Sequence, residues 1–413
     1  MKTVAIMACC DTKQEEALFL SNFIRKHHLN TLILDISLGP NVPRTENSIS
    51  REELVAAAGT EWKSLLGKKK HELMSAMMDG VRIKIPSLYQ EGRFDGIICI
   101  GGLQNTTIGA AALQALPIGV PKFIVSTVAT GAREFGSIVG SKDITIMPSL
   151  SDFSGMNVIS QTVLENAGSA MIGMVQYAGT PLRSTDRFLV GATLMGANND
   201  MATRAVGFLQ AAGKEVVSFH STGAGGRLLE EFVEAGVISA VMDLSLHETV
   251  YEFFGNEGFG KGSPGRLIQG AAKGIPMVVC PGCIDFMCIN PEDFKNDRFI
   301  KNGHERKYIW HNPSLAHVKL SVEEAVGVAN LIVSRINQST GEVRVLLPES
   351  GLRSLSHPGE PLYDPDVDYA IAGVFEDKLR SDIPLIRYNG NFDDEEFSYL
   401  CAETMLELIK DRR

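Results

Sequence analysis

The stretch Asp95-Gly-Ile-Ile-Cys-Ile-Gly-Gly102, continued by Leu103-Gln-Asn-Thr-Thr-Ile-Gly109 and Ala110-Ala-Ala-Leu-Gln-Ala-Leu116, decides how this chain is read. A short apolar run that stops at paired glycines reads as a buried strand, and the alanine-rich run behind it as a helix. Glycines at a helix start expose bare backbone N–H groups, backed by the positive end of the helix dipole. Such a turn suits an anion, phosphate above all, and Asn105, Thr106 and Thr107 add cap and hydroxyl groups. A tight turn that merely needs positive φ is the competing reading. The stretch matches neither the Walker pattern nor GxGxxG.

Working outward, the same alternation recurs. Apolar runs at 4–8, 31–37, 121–127 and 143–147 are strands, with helices at 13–28, 51–58, 61–79 and 157–175 between and after them. Alternation of this kind predicts a mostly parallel sheet covered on both faces, with ligands at the carboxyl ends of its strands. Those ends carry Asp11-Thr12-Lys13, Asp35, Gly101-Gly102, Ser126-Thr127 and Asp152. The segment 177–187 (YAGTPLRSTDR) reads as a linker. The pattern then restarts, with strands at 188–194, 215–219, 239–244, 276–280 and 343–347. Helices are expected at 200–212, 227–235, 322–337 and 393–410. The fold class is therefore α/β, two doubly wound, mostly parallel (Rossmann-like) domains at 1–180 and 188–413.

Bulk numbers narrow the function. A chain of 413 residues, 44% hydrophobic and 21% charged, belongs to a globular protein of more than one domain. A net charge of −10 argues against nucleic acid or a membrane surface as partner. With no long apolar span, an N-terminus unlike a signal peptide and seven cysteines that form no secreted framework, a cytoplasmic location is expected.

In the second half, His220-Ser221-Thr222-Gly-Ala-Gly225-Gly226-Arg227 is a glycine-rich strand-to-helix turn suited to phosphate or carboxylate. Asp243, His247, Glu248, Asp285, His304 and His311 form a scattered polar set near strand ends. Of these, His220, Asp243, Glu248, Asp285 and His311 are the candidates for proton transfer or metal binding, although no HExxH-like spacing specifies a metal. Cys280-Pro-Gly-Cys283 has no second CxxC, so a redox or zinc role is disfavoured. The turn-rich segment 348–366 is long enough for a lid, or is a plain surface connection.

Taken in order, several motifs make the chain resemble the two-domain family that includes the N-terminal, ATP-binding part of the tomato mosaic virus resistance protein. They are Asp11-Thr12-Lys13 with Glu16, Gly101-Gly102 with Thr106-Thr107, and Pro121-Lys-Phe-Ile-Val-Ser126-Thr127 with Gly131. Asp152-Phe-Ser-Gly-Met-Asn157, Phe219 to Arg227, Asp243-Leu-Ser with Glu248, Pro281-Gly with Asp285, and His311-Asn312 complete the set. The resemblance implies a two-domain α/β fold, ATP in the N-terminal domain and self-association as a homodimer. The chain departs from the family pattern at Leu103-Gln104-Asn105, where small residues are usual. The leading expectation is thus an ATP-binding protein, with Asp11, Thr12, Lys13, Gly101, Gly102, Thr106, Thr107, Ser126 and Thr127 around the nucleotide. Mg²⁺ would sit near an acid such as Asp11 or Asp152. The alternative is an enzyme acting on a small anionic, sugar-acid-like metabolite. Ser221, Thr222, Gly225, Gly226 and Arg227 would hold its anion and the second-half histidines and acids would do the chemistry.

Overall fold

Strand β1, Thr3–Ala8, is buried from Val4 onward on both faces, and every neighbouring strand is parallel to it. With β2 (Asn30–Asp35), β3 (Ser48–Ile49), β4 (Gly96–Gly101), β5 (Lys122–Ser126) and β6 (Thr145–Pro148) it forms a six-stranded parallel sheet ordered β3-β2-β1-β4-β5-β6. The period-2 pleat splits β1 between two cores. Ala5 and Met7 join Leu32, Leu34, Ile97 and Cys99 on one face, while Val4, Ile6 and Ala8 join Ile98 and Ile100 on the other. This two-sided burial explains why these strands read as unbroken apolar runs.

The computed structural model describes residues 1–39, 47–129, 136–179, 187–255 and 265–412. Gly131, the loop prolines Pro40 and Pro43, and linker residues 180–186 lie outside the described residues. The chain divides into two compact units, Met1–Leu182 and Arg183–Arg413. In the first, the helix expected over 61–79 is two helices, Trp62–Leu65 and Lys70–Gln90. Gly67, at φ +82°, lies between them in a conformation that ends a helix.

The second unit has its own parallel sheet of six strands: β7 (Leu189–Leu194), β8 (Glu215–His220), β9 (Ala240–Asp243), β10 (Met277–Val279), β14 (Val343–Pro348) and β15 (Leu385–Tyr388). Their order is β15-β14-β10-β9-β7-β8. Between β10 and β14 the chain inserts a three-stranded antiparallel sheet, β11 (Phe286–Ile289), β12 (Tyr308–Asn312) and β13 (Leu315–Lys319), ordered β11-β13-β12. The strand pattern did not reveal this insert. Its strands are four or five residues long, and β12 is largely exposed. His311-Asn312 is therefore the end of a strand. The segment weighed as a lid is anchored by Leu352, Arg353, Ser356 and Leu362, all buried. Among the described residues, no helix is long and apolar enough to cross a membrane.

Candidate functional site

In the first unit the strand order reverses between β1 and β4, and a cavity of about 690 Å³ opens at their carboxyl ends. It is lined by Asp11, Thr12 and Lys13 after β1, by Gly102, Leu103 and Gln104 after β4, and by Lys68 and Lys70. Two helix N-termini point here, Gln14–Lys26 and Leu103–Gln114, and neither has a side-chain cap. Gly101 takes φ +138°, and a Cβ there would lie 2.2 Å from Asn105 Nδ2. Glycine is thus required to let the chain leave β4 and start the helix at once. Gly102 has no such need, since its Cβ would meet only Thr127 Oγ1 at 3.5 Å.

The cavity collects Asp11, Thr12, Lys13 and Gly102 from the expected nucleotide set, and the hydroxyls are committed elsewhere. Thr106 Oγ1 donates to Gly102 O at 2.9 Å, so in its 2.6 Å contact with Ser126 Oγ the serine is the donor. Thr107 Oγ1 donates to Leu103 O at 2.9 Å. Thr106, Thr107 and Ser126 therefore shape the turn rather than line the cavity, and Thr127, whose backbone N–H donates to Gly101 O at 3.1 Å, is outside the lining as well. Asp11 Oδ2 accepts from Gly39 N–H at 2.8 Å, and Lys13 Nζ donates to Phe153 O. In the departing tripeptide, Asn105 turns inward to donate to Ile100 O at 2.7 Å, and Gln104 Nε2 lies 3.0 Å from Cys9 Sγ. Leu103 alone of the three is exposed.

The glycine turn of the second unit is built differently. Glu248 Oε1 accepts from the amides of Gly223 and Gly226, the latter at 3.1 Å. Its other oxygen accepts from Arg266 Nη1, and Arg266 Nη2 donates to both Asp243 oxygens at 2.6 and 2.7 Å. A Cβ on Gly226 would fall 1.8 Å from Glu248 Oε2. The turn holds an anion, but the anion is the chain's own carboxylate. Burial works against the Arg266 charge, yet Asp243 and Glu248 outweigh it and raise the guanidinium pKa further. Asp243 also accepts from Thr193 Oγ1 at 2.6 Å. Asp243 and Glu248 are thus buried and paired with Arg266. Ser221 is buried and donates to Ser245 O at 2.9 Å, while Arg227 is exposed and lines no cavity described here.

Asp285 is likewise committed. Burial raises its pKa, but Lys319 at 2.6 Å and Arg353 pull it down to about 2. His304 sits outside, 3.7 Å from Asp297. His220, Thr222 and His311 come together on a second cavity of about 660 Å³, where His247 and His317 join them. His311 falls in the register break of β12, opposite no residue of β13, and its ring stacks on His317 at 4.9 Å and 10°. His247 Nδ1 donates to Cys283 O at 2.7 Å, which leaves Nε2 to accept from Tyr251 O–H at 3.2 Å. Burial, assisted by Arg353, depresses His247 to about 4, and the same two causes take His317 to about 3. Both rings are neutral at pH 7. All seven cysteines are free and buried; burial raises the Cys280 and Cys283 thiols, which opposes thiolate chemistry. Among the described residues, no cluster of three metal-ligating side chains occurs.

Residues 2–180 and 187–409 match, respectively, the N-terminal and C-terminal domains of Uncharacterised protein family (UPF0261). The chain belongs to the UPF0261 family. A UPF0261 protein of Clostridium tetani is 31% identical over 411 residues, covering 99% of each chain. The ToMV resistance protein Tm-1(GCR237) of Solanum lycopersicum is 30% identical over 429 residues. That match takes in 98% of this chain and 55% of the tomato protein, so the chain spans about half of that relative's length. UDP-GlcNAc 2-epimerase from Methanocaldococcus jannaschii aligns over 98% of this chain and 99% of its own, at 9% identity and TM-score 0.23. That likeness is too slight to carry a functional argument.

Two features of this UPF0261 chain escaped the sequence reading. Lys68 and Lys70 stood in plain view in Gly67-Lys-Lys-Lys-His71, just before a helix, and that basic run was the available signal. His317 had none, because only the hairpin of β12 and β13 brings it beside His311.

Proposed function

We propose that this UPF0261 protein binds ATP in the first-unit cavity. One observation carries the reading: two helix N-termini without side-chain caps meet Lys13, Lys68 and Lys70 at the point where the strand order reverses. Each helix terminus near an anion contributes about 0.3–1 kcal/mol, and the lysines add charge that a triphosphate would offset. A cavity of about 690 Å³ falls within the range of small-molecule sites. Asp11 is the carboxylate at its wall, and Mg²⁺, which keeps most of its waters and leans on phosphate oxygens, needs little more from the protein. The backbone amides after Gly102 would hold the phosphates, because the hydroxyls of Thr106, Thr107 and Ser126 are already donated. Self-association as a homodimer is proposed on the family resemblance alone, and light scattering on the purified protein checks it.

The test is calorimetric titration with Mg²⁺–ATP, ADP and inorganic phosphate, on the wild-type chain and on Gly102→Val. Micromolar ATP binding that is lost in the variant, with its melting temperature unchanged, supports the reading. No heat at millimolar ATP, or equal affinity in both proteins, overturns it.

A further inference from the structure

The second-unit cavity is walled in a way that selects against charge. Among the described residues no Asp, Glu, Lys or Arg lines it; Met195, Leu315 and Leu355 supply apolar wall, and imidazoles together with the hydroxyls of Thr222, Tyr251 and Ser354 supply the polarity. The anion-holding parts of this unit are used internally, with Glu248 on the glycine amides and Asp243 on Arg266. A carboxylate or phosphate entering here would lose its hydration without meeting a Lys or Arg among the described lining residues.

The hydrogen-bond inventory identifies what the cavity does offer. Arg353 Nη1 lies 3.1 Å from His317 Nδ1, and a guanidinium can only donate. Nδ1 is therefore the bare nitrogen of a neutral ring, and the proton is on Nε2. Among the described residues that Nε2 has no hydrogen-bond partner, and it is not sealed from solvent. His247 offers no equivalent donor, because its one N–H goes to Cys283 O. We propose that the second-unit cavity binds a small uncharged carbonyl compound, whose oxygen accepts a hydrogen bond from His317 Nε2–H. Arg353 stands directly behind the ring and polarises that N–H, which strengthens it toward an oxygen carrying partial negative charge. The guanidinium is itself held over the Phe286 ring at 3.6 Å, with Asp285 at 4.0 Å from Nε. His317 is a neutral donor set by a fixed charge, and the apolar wall receives the hydrocarbon of the ligand.

Three probes of one shape test this: cyclohexanone labelled with ¹³C at its carbonyl, cyclohexanecarboxylate and cyclohexylammonium. Each is titrated into the full chain with ¹⁵N-labelled histidine and followed by NMR. Saturable binding of the ketone is expected, with its carbonyl carbon moving downfield and the His317 Nε2 resonance shifting. Both charged probes should bind at least tenfold more weakly. Leu355→Trp, which fills the cavity without touching the Arg353–His317 contact, should abolish both shifts, and so should His317→Phe if that variant folds. The proposal is overturned if the carboxylate binds as well as the ketone, if the ketone does not saturate the wild-type protein, or if its carbonyl shift survives in Leu355→Trp.

Discussion

Two glycine-rich strand-to-helix turns in this protein treat their backbone amides in opposite ways. At the end of β4, Gly101-Gly102 leads into a helix without a side-chain cap beside a cavity with three lysines on its wall. After β8, Gly223 to Gly226 starts a helix whose free amides already serve Glu248, itself locked to Arg266. A glycine turn at a helix N-terminus tells where negative charge is stabilised. In the second turn that charge belongs to the protein itself, from Glu248, 25 residues along the chain from Gly223.

The most damaging way to break this comparison is Glu248→Ala. It strands two buried amides and leaves the fully buried Arg266 with Asp243 in place of two close carboxylates, and losing one partner of a buried pair costs about 3–5 kcal/mol. Urea unfolding should show that loss. Inorganic phosphate should restore part of it in the variant and little in the wild type, because the vacated turn then resembles the one after β4.

A second carboxylate in the same unit is treated in the contrary way. Neither oxygen of buried Asp368 accepts a hydrogen bond, and Lys319 Nζ stays 3.6 Å away. Burial accordingly raises its pKa from 3.8 to about 7. The folded chain holds this proton more tightly than the unfolded one. Its contribution is complete below about pH 4 and declines as pH rises to about 7, by at most about 1.4 kcal/mol per pH unit. Asp368→Asn should flatten that decline in stability measured between pH 5 and about 7.5. A slope equal to wild type would show that Asp368 ionises normally.

Smaller effects sharpen the first-unit side. Gly102→Val should weaken ATP binding at least tenfold, or about 1.4 kcal/mol, and leave the melting temperature alone, because the position has room and ordinary φ. Substitution of Gly101 should instead lower stability, so the two neighbours separate binding from folding. The double change Lys68→Ala, Lys70→Ala should cost least, about 1 kcal/mol of affinity, since both side chains are exposed and screened. A reduced salt dependence of ATP binding is its clearer readout.

Much of this was legible before any coordinates. Continuous apolar runs such as Val4 to Ala8 and Ile97 to Ile100 announce strands buried on both faces, and the glycines after β4 and β8 announce their turns. The short insert β11 to β13 was not legible, because strands of four or five residues with an exposed edge strand carry too little periodicity. For the same reason the cavity beneath His311 had no sequence signal, as His317 reaches it only through hairpin register and a break in that register. Asp243, Glu248 and Asp285 looked like catalytic acids because a carboxylate near a strand end looks the same whether it faces a ligand or a buried cation.

By itself the sequence determined the class of fold, the repeated strand–helix order and the places where backbone amides are bared, since these follow from local pattern and from what glycine permits. Only the tertiary structure decided which bared amides stay open. Arg266 and Lys319, far from their acids in the chain, are paired with them by the packing: Arg266 with Glu248 and, at 2.6 Å, with Asp243, and Lys319 with Asp285 at 2.6 Å. Charge pairing of that kind is a contact between distant segments, and no local pattern encodes it.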